Sequence, residues 1–283
     1  VTYAHNATTS KKVTGSSDGN AVSSVSVGQS VTVTNDGPAP TISNVSSTLD
    51  TVTKGIGEVI PIQILFNEVV NVQGTPQLAL ETGDTDAIAY YASGTGTNTL
   101  TFNYTVAAGH SVTDLDYKAT TSLTLPTNSD TIRDNLSTNA TLTLAEPAAT
   151  ESLGANEAIT IEAVRPTVAS YTANAGTTTV TLTMASNETV SGAPDATDFT
   201  VTNASSGGNT VTAATIADDG ASIALTLTNM IQNSADISVT YAQNSSDSKK
   251  IKDANGNEMV SVTSGQSVTV TNDVSAPTIS NVS

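Results

Sequence analysis

Long internal repeats limit the possible folds of this sequence more than any other feature. Three segments near the beginning recur near the end: Val1–Lys12 as Val239–Lys250 with substitutions, and Gly28–Asp36 as Gly265–Asp273 and Pro40–Ser46 as Pro277–Ser283 letter for letter. The offset is 238 residues for the first pair and 237 for the other two, so the first copy carries one extra residue. Identical segments of this length do not arise by chance. They predict a tandem array, of which the chain covers slightly more than one period.

The repeats also predict where the units begin and end. Residues 1–37 are expected to be the last strands of a preceding domain, residues 38–163 a first complete domain, residues 164–274 a second, and residues 275–283 the start of the next repeat. Prolines, whose fixed φ stiffens short linkers, stand at the joins as Pro38, Pro40, Pro166 and Pro277.

Each complete domain consists of short runs in which apolar and polar residues alternate, as in half-buried strands. In the first domain these runs predict strands near 41–47, 58–66, 76–80, 87–92, 99–106, 115–125, 140–144 and 158–162. In the second they predict strands near 168–173, 179–185, 198–203, 209–217, 222–228, 236–242 and 266–272. We therefore expect an all-β protein of tandem immunoglobulin-like β-sandwich domains arranged end to end, without the Cys and Trp typical of that fold.

The sequences of the two domains match weakly at three places, one of which is the pair Tyr117 and Tyr241. Phe66-Asn-Glu68 in the first domain matches Ser186-Asn-Glu188 in the second, and Ile132-Arg-Asp134 matches Ile251-Lys-Asp253 ahead of the last strand. These matches indicate two divergent copies of one sandwich plan.

Charge and cysteine content exclude several classes of function. Nine Lys and Arg against 26 Asp and Glu give a formal net charge of −17, which repels nucleic acid and anionic lipid. No apolar stretch approaches the length of a membrane span, so no membrane insertion is expected. Cysteine is absent, which excludes disulfides and cysteine zinc sites. An acidic, Thr- and Asn-rich chain without cysteine predicts an extracellular protein.

The strongest candidate for a ligand site is the loop that contains Asp253, Asn255 and Asn257. Oxygen ligands stand there at alternate positions around Gly256, and Ca²⁺ needs about 6–8 such oxygens. An Asx-rich surface turn has the same sequence without a metal. Calcium is therefore a predicted cofactor, and the plain turn is the alternative.

Other carboxylates are weaker candidates for the same metal. Glu68 and Glu188 follow equivalent strands and could reach the loops that hold Asp134 and Asp253, or could be exposed acids at strand ends. Asp114 and Asp116 alternate around Leu115, so both side chains point the same way, toward a metal or toward solvent. Asp36 and Asp273 close a domain ahead of a proline-bearing linker and could bind calcium between domains, or simply make the linker polar.

The sequence motifs that could indicate an enzyme lack the residues that catalysis would require. Gly15-Ser-Ser17-Asp-Gly19 has the letters of a nucleophile elbow, but the repeated copy of that loop contains no Ser. His5 is replaced by Gln243 in the repeat, and His110 lies in a turn that is expected to be exposed. The protein is therefore not expected to be an enzyme.

The segments Asp198–Val201, Ile237–Tyr241 and Ile251–Asn257 resemble the long repeat of cyanobacterial swimming-motility surface proteins. The first domain resembles the bacterial immunoglobulin-like repeats of very large secreted adhesins, in Gly57–Ile62, Phe66–Val69, Gly74–Leu80, Asp114–Tyr117 and Ile132–Asp134. The resemblance implies extended extracellular arrays for adhesion, stalks or filaments, often stiffened by calcium. The loop Asp134–Asn139 departs from it by lacking a Gly, which argues against a tight ligand turn there.

These observations predict a structural repeat segment of an extracellular bacterial adhesin, stalk or filament. It would act as a rigid spacer whose partners are adjacent repeats of the same protein, joined head to tail. Two alternatives remain. One is an adhesion module that binds glycans or a host protein, for which the adjacent aromatic pair Tyr90-Tyr91 is weak evidence. The other is a self-assembling fibre subunit joined by strand complementation through residues 1–37 and 275–283.

Overall fold

The computed structural model of the protein describes residues 38–185, 188–203, 209–232 and 237–271. The segments predicted to belong to neighbouring repeats, residues 1–37 and 275–283, lie outside the described residues. Strands arranged in several sheets dominate the described part, as the sequence predicts for an all-β chain. No helix within it is long and apolar enough to cross a membrane.

Residues 42–163, here called the first unit, contain eleven strands and one helical turn. These are β1 (Ile42–Ser47), β2 (Val52–Lys54), β3 (Val59–Gln73), β4 (Gln77–Glu81), β5 (Ala87–Ser93), β6 (Thr97–Thr105), β7 (Ser111–Val112), β8 (Asp116–Tyr117), β9 (Leu123–Thr124), β10 (Thr131–Arg133), α1 (Leu153–Asn156) and β11 (Ile159–Glu162). One sheet has the order β1-β3-β6-β5-β4-β8, with β10 on β3 and β9 on β4, and a second has the order β2-β11-β7. Strands β2 and β11 are parallel, whereas their neighbours are antiparallel.

Residues 168–271, the second unit, contain nine described strands. These are β12 (Val168–Asn174), β13 (Thr179–Met184), β14 (Val190–Ser191), β15 (Phe199–Asn203), β16 (Val211–Ile216), β17 (Ser222–Leu227), β18 (Ile237–Tyr241), β19 (Lys252–Asp253) and β20 (Val262–Thr271). The larger sheet has the order β15-β18-β20-β12-β13-β17-β16, and β14 pairs with β19. Two single turns of 3-10 helix occur at Ala196–Asp198 and Asp247–Lys249.

Alternation along the strands produces a separate hydrophobic core in each unit. In the first, residues of β3 and β6 such as Ile62 and Phe102 share a buried cluster with Ile161 of the smaller sheet. In the second, Leu182 and Leu225 of adjacent strands lie in a cluster with Tyr241. Side chains from two sheets thus cover one another in the first unit, as in a sandwich.

The sequence misplaced several elements of the first unit. Strand β3 continues to Gln73 instead of ending near residue 66, since its register shifts between Leu65 and Val70 and the chain then pairs with β10. The run near 115–125 forms two strands of two residues each, β8 and β9. The run near 140–144 is not a strand and forms only an isolated bridge at Thr141. In these segments tertiary packing overrides local alternation.

His110 contradicts the expectation of an exposed turn. Its side chain is only 7% exposed, and Nδ1 lies 2.7 Å from the hydroxyl oxygen of Tyr104. The backbone N–H of Ala107 also points to Nδ1, at 3.4 Å, so this nitrogen acts as an acceptor. Burial lowers the pKa of His110 below its ordinary value of 6.5.

The buried imidazole predicts a loss of stability in mild acid. The unfolded chain takes up a proton on His110 as the pH falls through 6.5, whereas the folded chain does so only at lower pH. The free energy of unfolding should therefore fall between pH 7.5 and pH 5.5. Urea denaturation should show a smaller fall for His110→Gln, which can accept the Tyr104 hydroxyl but does not titrate. The same fall in both proteins would assign it to other groups.

Candidate functional site at the contact between the two units

The predicted calcium loop of the second unit is a turn organised by Asp253. One carboxylate oxygen, Oδ1, accepts hydrogen bonds from the backbone N–H groups of Asn255 and Asn257, at 2.9 and 2.8 Å. The other, Oδ2, accepts from the side-chain amide of Asn257 at 2.8 Å. Three donors thus satisfy the carboxylate from within the loop, as in an Asx turn.

The loop of the first unit at Asp134 has the same geometry. Its Oδ1 accepts from the backbone N–H groups of Leu136 and Thr138, at 2.8 and 2.7 Å. Ser137 has a φ of 72°, close to the 81° of Gly256 at the corresponding position. The missing Gly therefore does not prevent the turn, contrary to the sequence argument, and the side-chain hydrogen bonds help to hold Ser137 in this left-handed conformation.

Hydrogen bonding also decides the charge of this turn. Burial alone raises the pKa of Asp134, but backbone hydrogen bonds from Thr138, Leu136 and Ser137 outweigh it and hold the pKa below its usual value. The ionised carboxylate is the form that accepts these N–H groups. The carboxylate therefore acts as a structural acceptor at neutral pH.

The turn of the second unit contacts the first unit through Asn257. Its side chain is 1% exposed; Oδ1 accepts the backbone N–H of Ile56 at 2.9 Å, and Nδ2 donates to the carbonyl oxygen of Glu162 at 2.8 Å. A single buried amide thus bridges the β2–β3 loop and the end of β11. The sequence analysis selected Asn257 as a metal ligand, but its side-chain oxygen binds a backbone N–H of the other unit.

Two further residues complete this contact, and the sequence analysis did not select either. A Cβ atom added at Gly55 would lie 2.5 Å from the carbonyl oxygen of Asn255 and 3.0 Å from Oδ1 of Asn257, so only glycine allows this approach. Arg165, in the segment between β11 and β12, donates from Nη1 to the carbonyl oxygen of Glu258 at 2.8 Å. Its position directly before Pro166, in a chain with nine basic residues, was a usable signal.

A salt bridge and a hydrogen bond hold the side chain of Glu258 beside this contact. Lys250 Nζ lies 2.9 Å from Oε1 of Glu258, and Gln243 donates to Oε2 at 2.9 Å. The carboxylate of Glu258 is therefore held within the second unit while its carbonyl oxygen accepts Arg165.

Glu68 and Glu188 have different surroundings. Glu68 lies inside β3 and not at a strand end, in the irregular stretch between Leu65 and Val70. Glu188 accepts the backbone N–H of Thr167 through Oε2 at 2.7 Å, which ties the carboxylate to the start of the second unit. The described hydrogen bond of Glu188 therefore holds the segment that leads into the second unit, and it does not involve the Asp253 loop.

Asp114 and Asp116 do point the same way, as their alternation predicts. Their Oδ2 atoms lie 3.4 and 3.0 Å from the position of a Cβ added at Gly154. Burial and the charge of Asp116 raise the pKa of Asp114. Asp116 also accepts the backbone N–H of Ala148 at 2.9 Å. A cation would relieve the repulsion between the two carboxylates.

Calcium stays a prediction. Within the described segments, no three His, Cys, Asp or Glu side chains are grouped closely enough to hold a metal ion. Asp36 and Asp273 lie outside the described residues. A calcium ion at the Asp253 turn would compete with three hydrogen bonds. One at the pair Asp114 and Asp116 would compete with two, which Asp116 accepts from the backbone N–H groups of Tyr117 and Ala148.

Thermal melting with calcium chloride or EGTA tests this hypothesis. If calcium binds at the pair, it should raise Tm by a few degrees in the unmodified chain, since a ligand of the folded state stabilises it. Asp116→Asn should lose the response, and Asp253→Asn should keep it. Equal Tm values in calcium and in EGTA would remove calcium from the account.

The adjacent tyrosines face opposite ways. Tyr90 is 55% exposed, whereas Tyr91 packs edge-on against Phe102 with ring centroids 5.9 Å apart. The Tyr91 hydroxyl oxygen accepts the backbone N–H of Thr95 in the β5–β6 turn. Tyr91 is therefore structural, and Tyr90 is the member of the pair available to a ligand.

Comparison with known proteins does not assign a family. No protein-family model matches the sequence, and no curated protein sequence matches it significantly.

Proposed function

We propose that the chain is a structural repeat segment of an extracellular bacterial adhesin, stalk or filament and acts as a rigid spacer. The observation that carries this proposal is the buried Asn257, which joins two units that have separate hydrophobic cores. Together with the sequence period, it supports an array of immunoglobulin-like sandwiches whose neighbours are locked together.

The segment between the units favours a stiff connection. Five residues separate the end of β11 at Glu162 from the start of β12 at Val168. Pro166 fixes one φ angle in this segment, and the Arg165 side chain is held by the carbonyl oxygen of Glu258. Relative motion is the default for domains with small interfaces, so these restraints matter. A spacer needs these restraints because a flexible joint would shorten the array and would not transmit force along it.

In the proposed role, the polar groups of the Asp134 turn, of the Asp253 turn and of the contact between the units serve structure and not catalysis. Asp134 and Asp253 orient their own turns, and Asn257 satisfies backbone groups of the other unit. We assign no enzymatic activity to the chain.

Binding of a glycan is the alternative that one observation favours. Tyr90 and Ile88 alternate along β5 and are 55% and 36% exposed, so their side chains share one face of the sheet. Exposed aromatic rings are common contacts for ligands with one apolar face. A glycan array tests this alternative, and loss of a signal in Tyr90→Ala would locate it. Uniform background binding across the array would remove it.

Small-angle X-ray scattering on arrays of increasing copy number tests the spacer proposal. The maximum dimension should grow in proportion to the number of repeats, because each unit of a stiff linear array contacts only its neighbours. Growth with a much weaker dependence on copy number would show a flexible or collapsed chain and contradict the proposal. Assembly by strand complementation through residues 1–37 and 275–283 predicts, in addition, concentration-dependent fibres from single chains.

A further inference from the structure

The turn that contacts the first unit contains the only Asn-Gly step in the sequence, Asn255-Gly256. The side chain of Asn255 is exposed, and a Cβ atom added at Gly256 would meet nothing within 4 Å. Because glycine has no side chain to shield its nitrogen, that nitrogen can attack the side-chain amide of a preceding asparagine. Every other asparagine in the chain is followed by a residue with a side chain. The step is therefore the candidate for a spontaneous covalent change.

The reaction would take place within the chain and would consume only water. The backbone nitrogen of Gly256 gives up its proton and forms a bond to Cγ of Asn255, and the side-chain amide leaves with that proton as ammonia. Water then opens the cyclic imide. Cleavage of the bond from the nitrogen to Cγ yields aspartate, whereas cleavage of the bond from the nitrogen to the backbone carbonyl carbon yields isoaspartate. Either product carries a carboxylate in place of a neutral amide.

The folded turn holds the nitrogen of Gly256 away from this reaction. Its N–H donates to the carbonyl oxygen of Asp253 at 3.2 Å. The two residues between them, Ala254 and Asn255, have negative φ values, so this is a type I turn. In such a turn the ψ angle of Asn255 is about 0°, which places the nitrogen of Gly256 beside that of Asn255 and away from Cβ. The reaction therefore requires the peptide plane between Asn255 and Gly256 to rotate.

The contact with the first unit fixes that same peptide plane. The carbonyl oxygen of Asn255 lies 2.5 Å from the position of a Cβ added at Gly55, so the backbone of the first unit stands directly against it. Directly after this plane, Asn257 binds the N–H of Ile56 and the carbonyl oxygen of Glu162. Rotation of the plane would move both groups, so it requires the contact between the units to open.

We propose that Asn255-Gly256 is a self-modification site that reacts only when the contact between the two units opens. While the units are in contact, the turn keeps Asn255 intact. When they separate, the peptide plane is free to rotate and the imide forms. This inference rests on the contact itself and goes beyond the spacer proposal, which scattering on arrays tests separately.

The isoaspartyl product prevents the contact from forming again. Its free carboxylate is the former backbone carbonyl of Asn255, so the new charge lies at the position that faces Gly55. The N–H of Gly55 is already bound to the carboxylate of Glu58 at 2.7 Å, so the new charge is repelled by a like charge close by. The isoaspartyl main chain also contains an additional methylene group, which displaces Asn257 from Ile56.

The aspartyl product leaves the main chain unchanged and is compatible with the repeat. In the other copy of this segment, at an offset of 237 residues, Asp18–Asn20 takes the place of Asn255–Asn257. That copy therefore already has aspartate where this turn has asparagine, next to the same Gly-Asn pair. Asn255→Asp is the matched control, because it adds a charge to the exposed side chain without lengthening the main chain.

The rate of the reaction tests the proposal in the intact chain at pH 8 and 37 °C. Trypsin releases a peptide that begins at Asp253, and electron-transfer fragmentation distinguishes isoaspartate from asparagine and aspartate at position 255. Gly55→Ala opens the contact from the first unit without changing the turn, and it should raise the rate about tenfold or more. Asn257→Ala opens the contact from the second unit and should do the same. Equal rates in the unmodified chain and in both variants would overturn the proposal.

The modified chain provides the second readout. Chromatography isolates the isoaspartyl chain, and amide hydrogen exchange followed by NMR measures how well the N–H of Ile56 is protected by its bond to Asn257. Exchange at Ile56 should be about tenfold faster or more in the isoaspartyl chain and unchanged in Asn255→Asp. Full protection of Ile56 in the isoaspartyl chain would show that the contact forms again, which would contradict the proposal.

Discussion

Asn257→Ala is expected to lower the free energy of unfolding and to release the second unit from the first. The change leaves the N–H of Ile56 and the carbonyl of Glu162 without the partners they have at 2.9 and 2.8 Å. A buried backbone group left without a partner costs about 1–3 kcal/mol. Two such groups make this one of the largest single-residue effects available outside the cores. Urea denaturation followed by circular dichroism measures it.

Asn255→Ala is the matched control for that experiment. Asn255 lies in the same turn and is exposed, and the contact with Gly55 uses its backbone carbonyl. Removal of the Asn255 side chain should lower the free energy of unfolding by less than about 0.5 kcal/mol, as most surface substitutions do. Equal destabilisation by the two changes would show that the turn, and not the bridge made by Asn257, carries the stability.

Gly55→Ala is expected to open the same contact from the opposite side. The added Cβ would lie 2.5 Å from the carbonyl oxygen of Asn255, which belongs to the backbone and cannot rotate away. Overpacking of this kind costs about 1–3 kcal/mol when the structure must shift to accommodate it. Separation of the two units relieves the clash. The decrease in the free energy of unfolding should therefore not exceed the free energy of the contact itself.

A double-mutant cycle links the two changes. The effects of two substitutions that break the same contact are not additive, because the first substitution already removes the interaction that the second would remove. Asn257→Ala combined with Gly55→Ala should therefore cost little more than the larger single change. Additive losses would mean that the residues act independently and would contradict a shared contact.

The sequence predicted those strands in which apolar and polar residues alternate regularly over several residues. Ile60, Ile62 and Ile64 in β3 and Leu100 and Phe102 in β6 are all fully buried. Strands β7, β8 and β9 have two residues each, too few to show a period, and were missed or merged. Their positions depend on pairing with strands that are distant in the sequence.

The site was only partly predictable, for a related reason. The sequence pointed to the Asp253 turn as a calcium loop or a plain Asx turn, and it gave no sign of the contact with the first unit. The partners in that contact are far away in sequence: Ile56 is 201 residues and Glu162 is 95 residues from Asn257. The sequence shows the oxygen ligands of the loop but not the N–H donors that already occupy them. A usable signal was the recurrence of a Gly-Asn pair, Gly19-Asn20 and Gly256-Asn257, at the repeat offset of 237.

Pulsed electron spin resonance on the intact chain tests the rigid-spacer account most directly. Spin labels at Tyr90→Cys in β5 and Thr226→Cys in β17 occupy exposed sites, one on each unit, in a chain without native cysteine. The account predicts one narrow distribution of distances between the labels, which broadens when Asn257→Ala is added. A broad distribution before that substitution, or one that Asn257→Ala leaves unchanged, would contradict it.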